Sequence, residues 1–486
     1  LKRLFAGCFL IYLVFMNPSP ESSSSLPHLH LAVSLVDDRS ITLSSYRGRD
    51  VAFREGRYYS GHPPGAAFLA AEVYQLFRPL FPARAGGRTL FWLNALMIAL
   101  VSAPLSALGV AFLFRLLGGM PVGREAILWT VVLAAFGTSA FGYAGAFYKK
   151  GLVGPILMIV VYFLWPAPGE GTADAARPRG RGLRFFLVGV LAGFSVVLEL
   201  SMVFVVFFQA VYLLRKGSLK AELAPFVAGG ALMAALLFLY NQTAFGSVFS
   251  SGYAFRLHGD GPVYGGFSLW RVWQIIFGLR CGLIVYVPVL LAGLVGAWCA
   301  VRERIYSREM LWLIAAPVAA HIVFFAIWSN VYVCAGESLI PRQMAPLFPL
   351  VMLPLALGVE RFPEKAFRWL AALTLGLGYL GAQSFFVPSQ TEPFVYAFKD
   401  LIVSLGAGEL FSRHLPRALG LQTLLSGSEA GGLSALVENP AHLARLAAVQ
   451  LVFSAAQFGI VFGIWRVCFR GAFGAPGPTQ MTGGGK

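Results

Sequence analysis

Residues 34–65 read SLVDDRSITLSSYRGRDVAFREGRYYSGHPPG, a stretch in which acids, arginines, tyrosines and a histidine are interleaved. A surface that holds a sugar-phosphate needs this mixture. The carboxylates of Asp37, Asp38 and Asp50 are able to grip or deprotonate hydroxyls, and the guanidinium forks of Arg39, Arg47, Arg49, Arg54 and Arg57 to pair with phosphate. The rings of Tyr58 and Tyr59 are candidates to pack on sugar faces, and His62 joins them if the loop closes over a ligand. A competing reading is a solvated loop whose charges cancel, since Glu21, Asp37, Asp38, Asp50 and Glu55 balance the arginines.

A second patch, WSNVYVCAGESLIPRQMAPLFPL, spans residues 328–350. Arg342 stands beside an apolar helix start, which is costly unless it pairs. Either Arg342 and Glu337 merely close the loop as an ion pair, or Arg342 faces the phosphate of a lipid ligand. Lys149 and Lys150 occupy a tight turn between apolar segments; snorkelling accounts for one of them, and phosphate contact is the reading for two. His321, inside an apolar run, is expected to serve helix packing or a polar contact between helices.

The elements that must position these residues are membrane helices. Apolar residues make up 57% of the 486 and charged ones only 12%, against about 45–50% and about 25% in soluble domains. Lipid must be part of the solvent of such a chain. The net charge of +16 does not point to nucleic acid, because Lys and Arg fall in short clusters between apolar segments, the positive-inside pattern. The scattered Cys8, Cys281, Cys299, Cys334 and Cys468 form no CxxC and pair with no histidine, so neither a disulfide framework nor a metal site is expected. No cofactor is indicated.

Spans are expected near 4–16, 88–114, 125–147, 151–166, 184–198, 201–214, 222–241, 272–300, 309–328, 344–360, 367–386 and 444–465. The opening run is read as a retained first helix, because it lacks an A-x-A cleavage site. With the N-terminus cytoplasmic, the clusters around Arg115, Arg179, Arg215, Arg302, Arg361 and Arg466 all face the cytoplasm. This count requires residues 64–83 to lie at the outer membrane face rather than cross it. A turn near Glu199 brings that carboxylate to the outer face. Residues 17–87, 242–271 and 387–443 become long outer segments. The expected fold is an all-α polytopic bundle of about twelve spans. It divides into a catalytic region over 1–386, with interfacial helices in the first outer loop, an extracytoplasmic segment over 387–443, and a last span and cytoplasmic tail over 444–486.

At this point the chain resembles the bacterial phospholipid-carrier-dependent glycosyltransferases of the GT-C superfold, relatives of protein O-mannosyltransferases and lipid A aminoarabinose transferases. Four stretches carry the resemblance in order: GRDVAFREGRYYSGHPPG at 48–65, LEL around Glu199, RCGLIVYVPVL at 280–290 and AGESLIPRQMAPLFP at 335–349. Two departures stand out. The family's usual Asp-Lys before the Pro-Gly is Gly61-His62 here, and its usual Gly-His in the third outer turn is Lys149-Lys150.

The resemblance implies a donor carrying one sugar on polyprenyl phosphate, chemistry at the outer face of the cytoplasmic membrane, and inversion at the anomeric carbon. The acceptor is a hydroxyl of a glycan, lipid or protein. The family's acid after the first helix points to Asp37 or Asp38 as base, with Asp37 favoured and Asp50 a supporting acid. Arg342 with Lys149, Lys150 and His62 would hold the donor phosphate, while Tyr58, Tyr59, Glu199 and Glu337 would orient substrate or cations. The alternative is a transporter or flippase of a lipid-linked sugar. It predicts paired ionisable groups near the bilayer midplane, whereas these acids cluster in outer loops.

Overall fold

The computed structural model describes residues 1–18, 25–44, 46–48, 50–82, 86–165, 181–217, 219–257, 265–279, 282–328, 342–383 and 440–469. Glu21, Arg49, Arg179, Cys281, Cys334, Glu337 and residues 387–439, all named above, lie outside the described residues.

Helix α1 (Lys2–Val14) is followed by a second helix, α2 (Leu26–Asp37), whose Pro27, His28, Leu29, Leu31, Ala32, Val33 and Ser34 are buried. Asp37 therefore closes a helix of the first loop and does not directly follow the first span. Arg39, with φ of 50°, turns the chain out of α2 in the left-handed conformation common at helix ends. A hairpin comes next, β1 (Val51–Arg54) against antiparallel β2 (Arg57–Ser60), with Arg54 opposite Arg57 and Val51 opposite Ser60. Its two-residue turn has Glu55 at φ 49° and Gly56 at φ 76°, the left-handed pair whose twist matches that of the strands. Helix α3 (Gly65–Phe77), extended by the tight turn Arg78–Leu80, packs on α2 and fills the stretch expected to be an interfacial helix.

The bundle follows. Helix α4 (Gly87–Met97) runs through a π turn at Ile98–Ser102 into α5 (Ala103–Leu117). Then come α6 (Arg124–Phe136), α7 (Ser139–Ala144), α8 (Lys149–Leu164), α9 (Arg181–Leu198), α10 (Val203–Arg215) and α11 (Ala224–Phe245). The remainder is α12 (Leu269–Phe277), α13 (Leu283–Tyr286), α14 (Leu290–Arg302), α15 (Arg308–Ile327), α16 (Phe348–Met352), α17 (Leu355–Arg361), α18 (Glu364–Gln383) and α19 (Pro440–Cys468).

Three expected spans are broken rather than continuous. The stretch 125–147 stops at Gly137, and the Thr138 hydroxyl restarts it by accepting the Ala140 N–H at 3.2 Å. The stretch 272–300 is three helices, interrupted around Gly278, Gly282 and Pro288. The stretch 344–360 breaks before Pro354, which has no N–H to continue the ladder. Among the described residues four helices are long and apolar enough to cross a membrane: Gly87–Leu117, Arg181–Leu198, Ala221–Phe245 and Glu309–Ile327. Apolar helices too short for that measure cover Leu200–Arg215, Leu290–Arg302 and Ala455–Cys468.

Small residues set the closest helix crossings. A Cβ on Gly229 would strike the Phe186 carbonyl, and one on Gly189 the Phe226 carbonyl, so α9 and α11 approach backbone to backbone.

The loops sort into two ends. At one end the Gly123 N–H bonds Glu360, Arg361 pairs with Glu303 at 2.9 Å, and Trp165 meets Tyr306 edge-on at 5.7 Å. There too the fully buried Glu222 carboxylate takes both Arg181 and Lys216. These are the loops that charge counting places together on the basic side. The described parts of the loops expected on the other side meet at the opposite end, and the candidate site is there.

Candidate active site

The ladder pairing of Val51 with Ser60 brings the residues flanking the hairpin together, and the Gly61 N–H donates to the Asp50 carbonyl at 2.8 Å. Asp50 takes φ of 60°, a conformation that Asp tolerates better than most residues, and its side chain faces His62. Asp50 Oδ2 is 3.4 Å from His62 Nε2, and Asp50 Oδ1 is 3.1 Å from Arg256 Nη2. Arg256 reaches this point because residues 256 and 257 join β1, through the bridge from Ala52 to Arg256 and the bond from Leu257 N–H to the Val51 carbonyl at 3.2 Å.

Lys149 closes the group from the bundle side. It is the first residue of α8, where a cation opposes the helix dipole and needs compensation. Glu199, between α9 and α10, supplies it at 3.1 Å. Both are nearly out of reach of water, at 3% and 5% exposure. Lys149 Nζ also meets Tyr253 Oη at 3.2 Å and His62 Nδ1 at 3.3 Å. The Tyr253 ring lies under the Arg256 guanidinium at 4.5 Å, and the His28 ring stacks on His62 at 5.5 Å. Lys150 points elsewhere, donating to Gln343 Oε1 and lying 5.8 Å from the Phe325 ring. It lines an apolar cavity with Tyr12, Leu113, Met158 and Phe348.

Charge settles unevenly over this group. Burial alone would raise the Asp50 carboxyl, but the His62 ring N–H and the Arg256 and Arg342 guanidinium groups hold it well below the usual carboxylate range. Burial, and then the Lys149 ammonium, push His62 down to about 4 against the pull of Asp50. At neutral pH the group thus holds two carboxylates, Asp50 and Glu199, and, counting Arg342, three cations around an uncharged imidazole. That surplus of one positive charge suits an anion.

The remaining candidates lie apart from this group. Asp37 accepts from Arg78 Nε at 2.6 Å and from Tyr74 Oη at 2.9 Å, a separate cluster where α2 meets α3. Asp38, the residue closing α2, is exposed, with no side-chain bond to a described residue. Tyr58 stacks under the Arg47 guanidinium at 3.8 Å, and Tyr59 is buried against Phe245 at 5.7 Å. His321 makes the expected polar contact between helices, Nε2 lying 3.4 Å from Ser201 Oγ. Among the described residues no group of three or more His, Cys, Asp or Glu is placed to hold a metal.

Sequence reading missed Arg256, Tyr253, His28 and Gln343. Only Arg256 left a signal, as one of two arginines, with Arg271, in the second long outer segment.

No known family profile and no curated protein sequence matches the chain. Solved structures do. ArnT from Cupriavidus metallidurans bound to undecaprenyl phosphate is similar at a TM-score of 0.53 and 14% identity, over 95% of this chain and 77% of that one. The same protein in the apo state is similar at a TM-score of 0.52 and 13% identity, over 95% and 75%. The chain has an ArnT-like helical fold.

Proposed function

We propose that the chain is a membrane glycosyltransferase. It moves a single sugar from a polyprenyl-phosphate donor to a hydroxyl of a glycan, lipid or protein, with inversion. The observation that carries this reading is the buried group of Lys149, His62, Arg256, Asp50 and Glu199 at one end of an ArnT-like bundle. That an ArnT was crystallised with undecaprenyl phosphate supports a lipid phosphate as the ligand. By the charge rule this end faces the periplasm or cell exterior, the protein sits in the cytoplasmic membrane, and about twelve segments cross it.

In the reaction an acceptor hydroxyl attacks the anomeric carbon, its proton passes to a carboxylate, and the bond to the phosphate oxygen breaks. Polyprenyl phosphate leaves with the electron pair. Lys149 and Arg256, with Arg342 near Asp50, stabilise that charge in a site largely closed to water, where screening is weak. The base must reach the same carbon whose phosphate these cations hold, so Asp50 takes that role in this reading, and Asp37 is the competing carboxylate. The ion pair of the site stands at helix ends rather than mid-span, which favours transfer over transport.

Two measurements test the proposal. Mass spectrometry of envelope glycans with and without the gene should show one sugar missing; an unchanged profile contradicts the reading. Release of polyprenyl phosphate from its sugar conjugate by purified protein should be abolished in Asp50→Asn and only weakened in Asp37→Asn. The reverse order would return the base role to Asp37.

A further inference from the structure

The surroundings of His62 decide where its proton is. Nδ1 lies 3.3 Å from Lys149 Nζ and 3.3 Å from Arg256 Nη2. Ammonium and guanidinium groups donate and have no lone pair to offer. Nδ1 must therefore be the acceptor, and the ring proton stands on Nε2, facing Asp50 Oδ2 at 3.4 Å. A proton on Nδ1 would face the Lys149 ammonium and the Arg256 guanidinium, donor against donor.

The other groups around the ring do not relieve this. Glu199 is engaged with Lys149 on the far side, and Tyr253 Oη accepts from the same ammonium. Arg342 acts on Asp50, and Lys150 acts on Glu199. His28 stacks on His62 with an interplanar angle of 30°, is 1% exposed, and neither of its ring nitrogens has a hydrogen-bond partner among the described residues. The ring stack thus holds His62 in place while the cations keep it neutral.

An anion changes the balance. Phosphate oxygens accept from Lys149 and Arg256, drawing both donors off Nδ1. We propose that this site takes up its anion together with a proton: His62 Nδ1, released from the two cations, accepts one proton from water, keeps it, and hydrogen-bonds through it to an oxygen of the bound phosphate group. The proton returns to water when the anion leaves. The inference rests on the reading of this cluster as the phosphate site, and names a neutral histidine as a device that adds its charge only when the ligand is present.

Sulfate is the probe, because its own charge does not change between pH 6 and pH 8. The full chain in lipid nanodiscs is melted over a range of sulfate concentrations at both pH values. Expected is an apparent affinity about tenfold higher at pH 6, following from a His62 that titrates near neutrality only when the anion is bound. Calorimetry in two buffers of different ionisation enthalpy should report uptake of a proton on binding at pH 7. In His62→Gln the pH dependence should vanish. In His28→Phe, which keeps a stacked ring without titrating, it should persist; its loss there would assign the proton to His28 and overturn the proposal. Sulfate affinity independent of pH, with no proton uptake by the unaltered protein, overturns the proposal and leaves the phosphate reading standing. No sulfate binding at either pH removes both.

Discussion

At the scale of single residues, Lys149 and Glu199 depend on each other most. Each is a buried charge whose partner is 3.1 Å away. Lys149→Met should destabilise the protein by about 3–5 kcal/mol, because it leaves Glu199 buried and uncompensated. Adding Glu199→Gln should recover much of that stability in thermal melts without recovering sugar transfer. Such a split separates the structural duty of the pair from its duty toward phosphate. For His62 the sign is opposite to that of a salt-bridged histidine. Its proton affinity is lowered in the folded state, to about 4, so the unfolded chain binds the proton first. Without ligand, stability contributed by the neutral ring is present above about pH 6.5 and is lost as pH falls toward about 4. Melting curves across that window should show the loss, and His62→Gln should flatten it. The types and most positions of these residues were legible in the sequence. Their partners were not, because about a hundred residues separate Asp50 from Lys149, and again Lys149 from Arg256.

Among elements, the hairpin at 51–60 and the crossing of α9 with α11 hold the site in place. The hairpin sets Asp50 beside His62, and its turn needs Gly56 at φ 76°. Gly56→Ala should cost about 1 kcal/mol, since a Cβ disfavours that conformation although the space around it is open. A larger effect is expected at the crossing. Gly229→Val would force α9 away from α11, and because Glu199 closes α9, donor binding should weaken along with a fall in melting temperature. Helical periodicity and hydrophobic length located most elements. They missed the hairpin, whose Glu-Gly turn is a weak signal beside its arginine-rich strands. They also merged helices across 125–147, 272–300 and 344–360, because apolar content continues through a break where local turn residues decide.

For the whole molecule, the sorting of loops into two ends is the structural counterpart of the charge pattern. The loops at 118–123, 303–307 and 361–363 should be reached by an impermeant thiol reagent from the cytoplasmic side alone, using Gly119→Cys and Ser307→Cys. A cysteine at Ser250 or Gly86 should be reached from the opposite side alone, and labelling of both sets from one side would refute the two-ended arrangement. Composition, hydropathy and the placement of Lys and Arg pointed to a chain that lives in lipid and divided its loops between two faces. Those properties are local sums, which a linear sequence carries in full. The tertiary structure alone decided which residues meet: it set Asp37 with Arg78 and Tyr74, gave Asp50 to His62 and Arg256, and placed Lys149 on His62 and Glu199. Desolvated charges require partners a few ångströms away, and only the packing of distant helices and loops determines which partners those are.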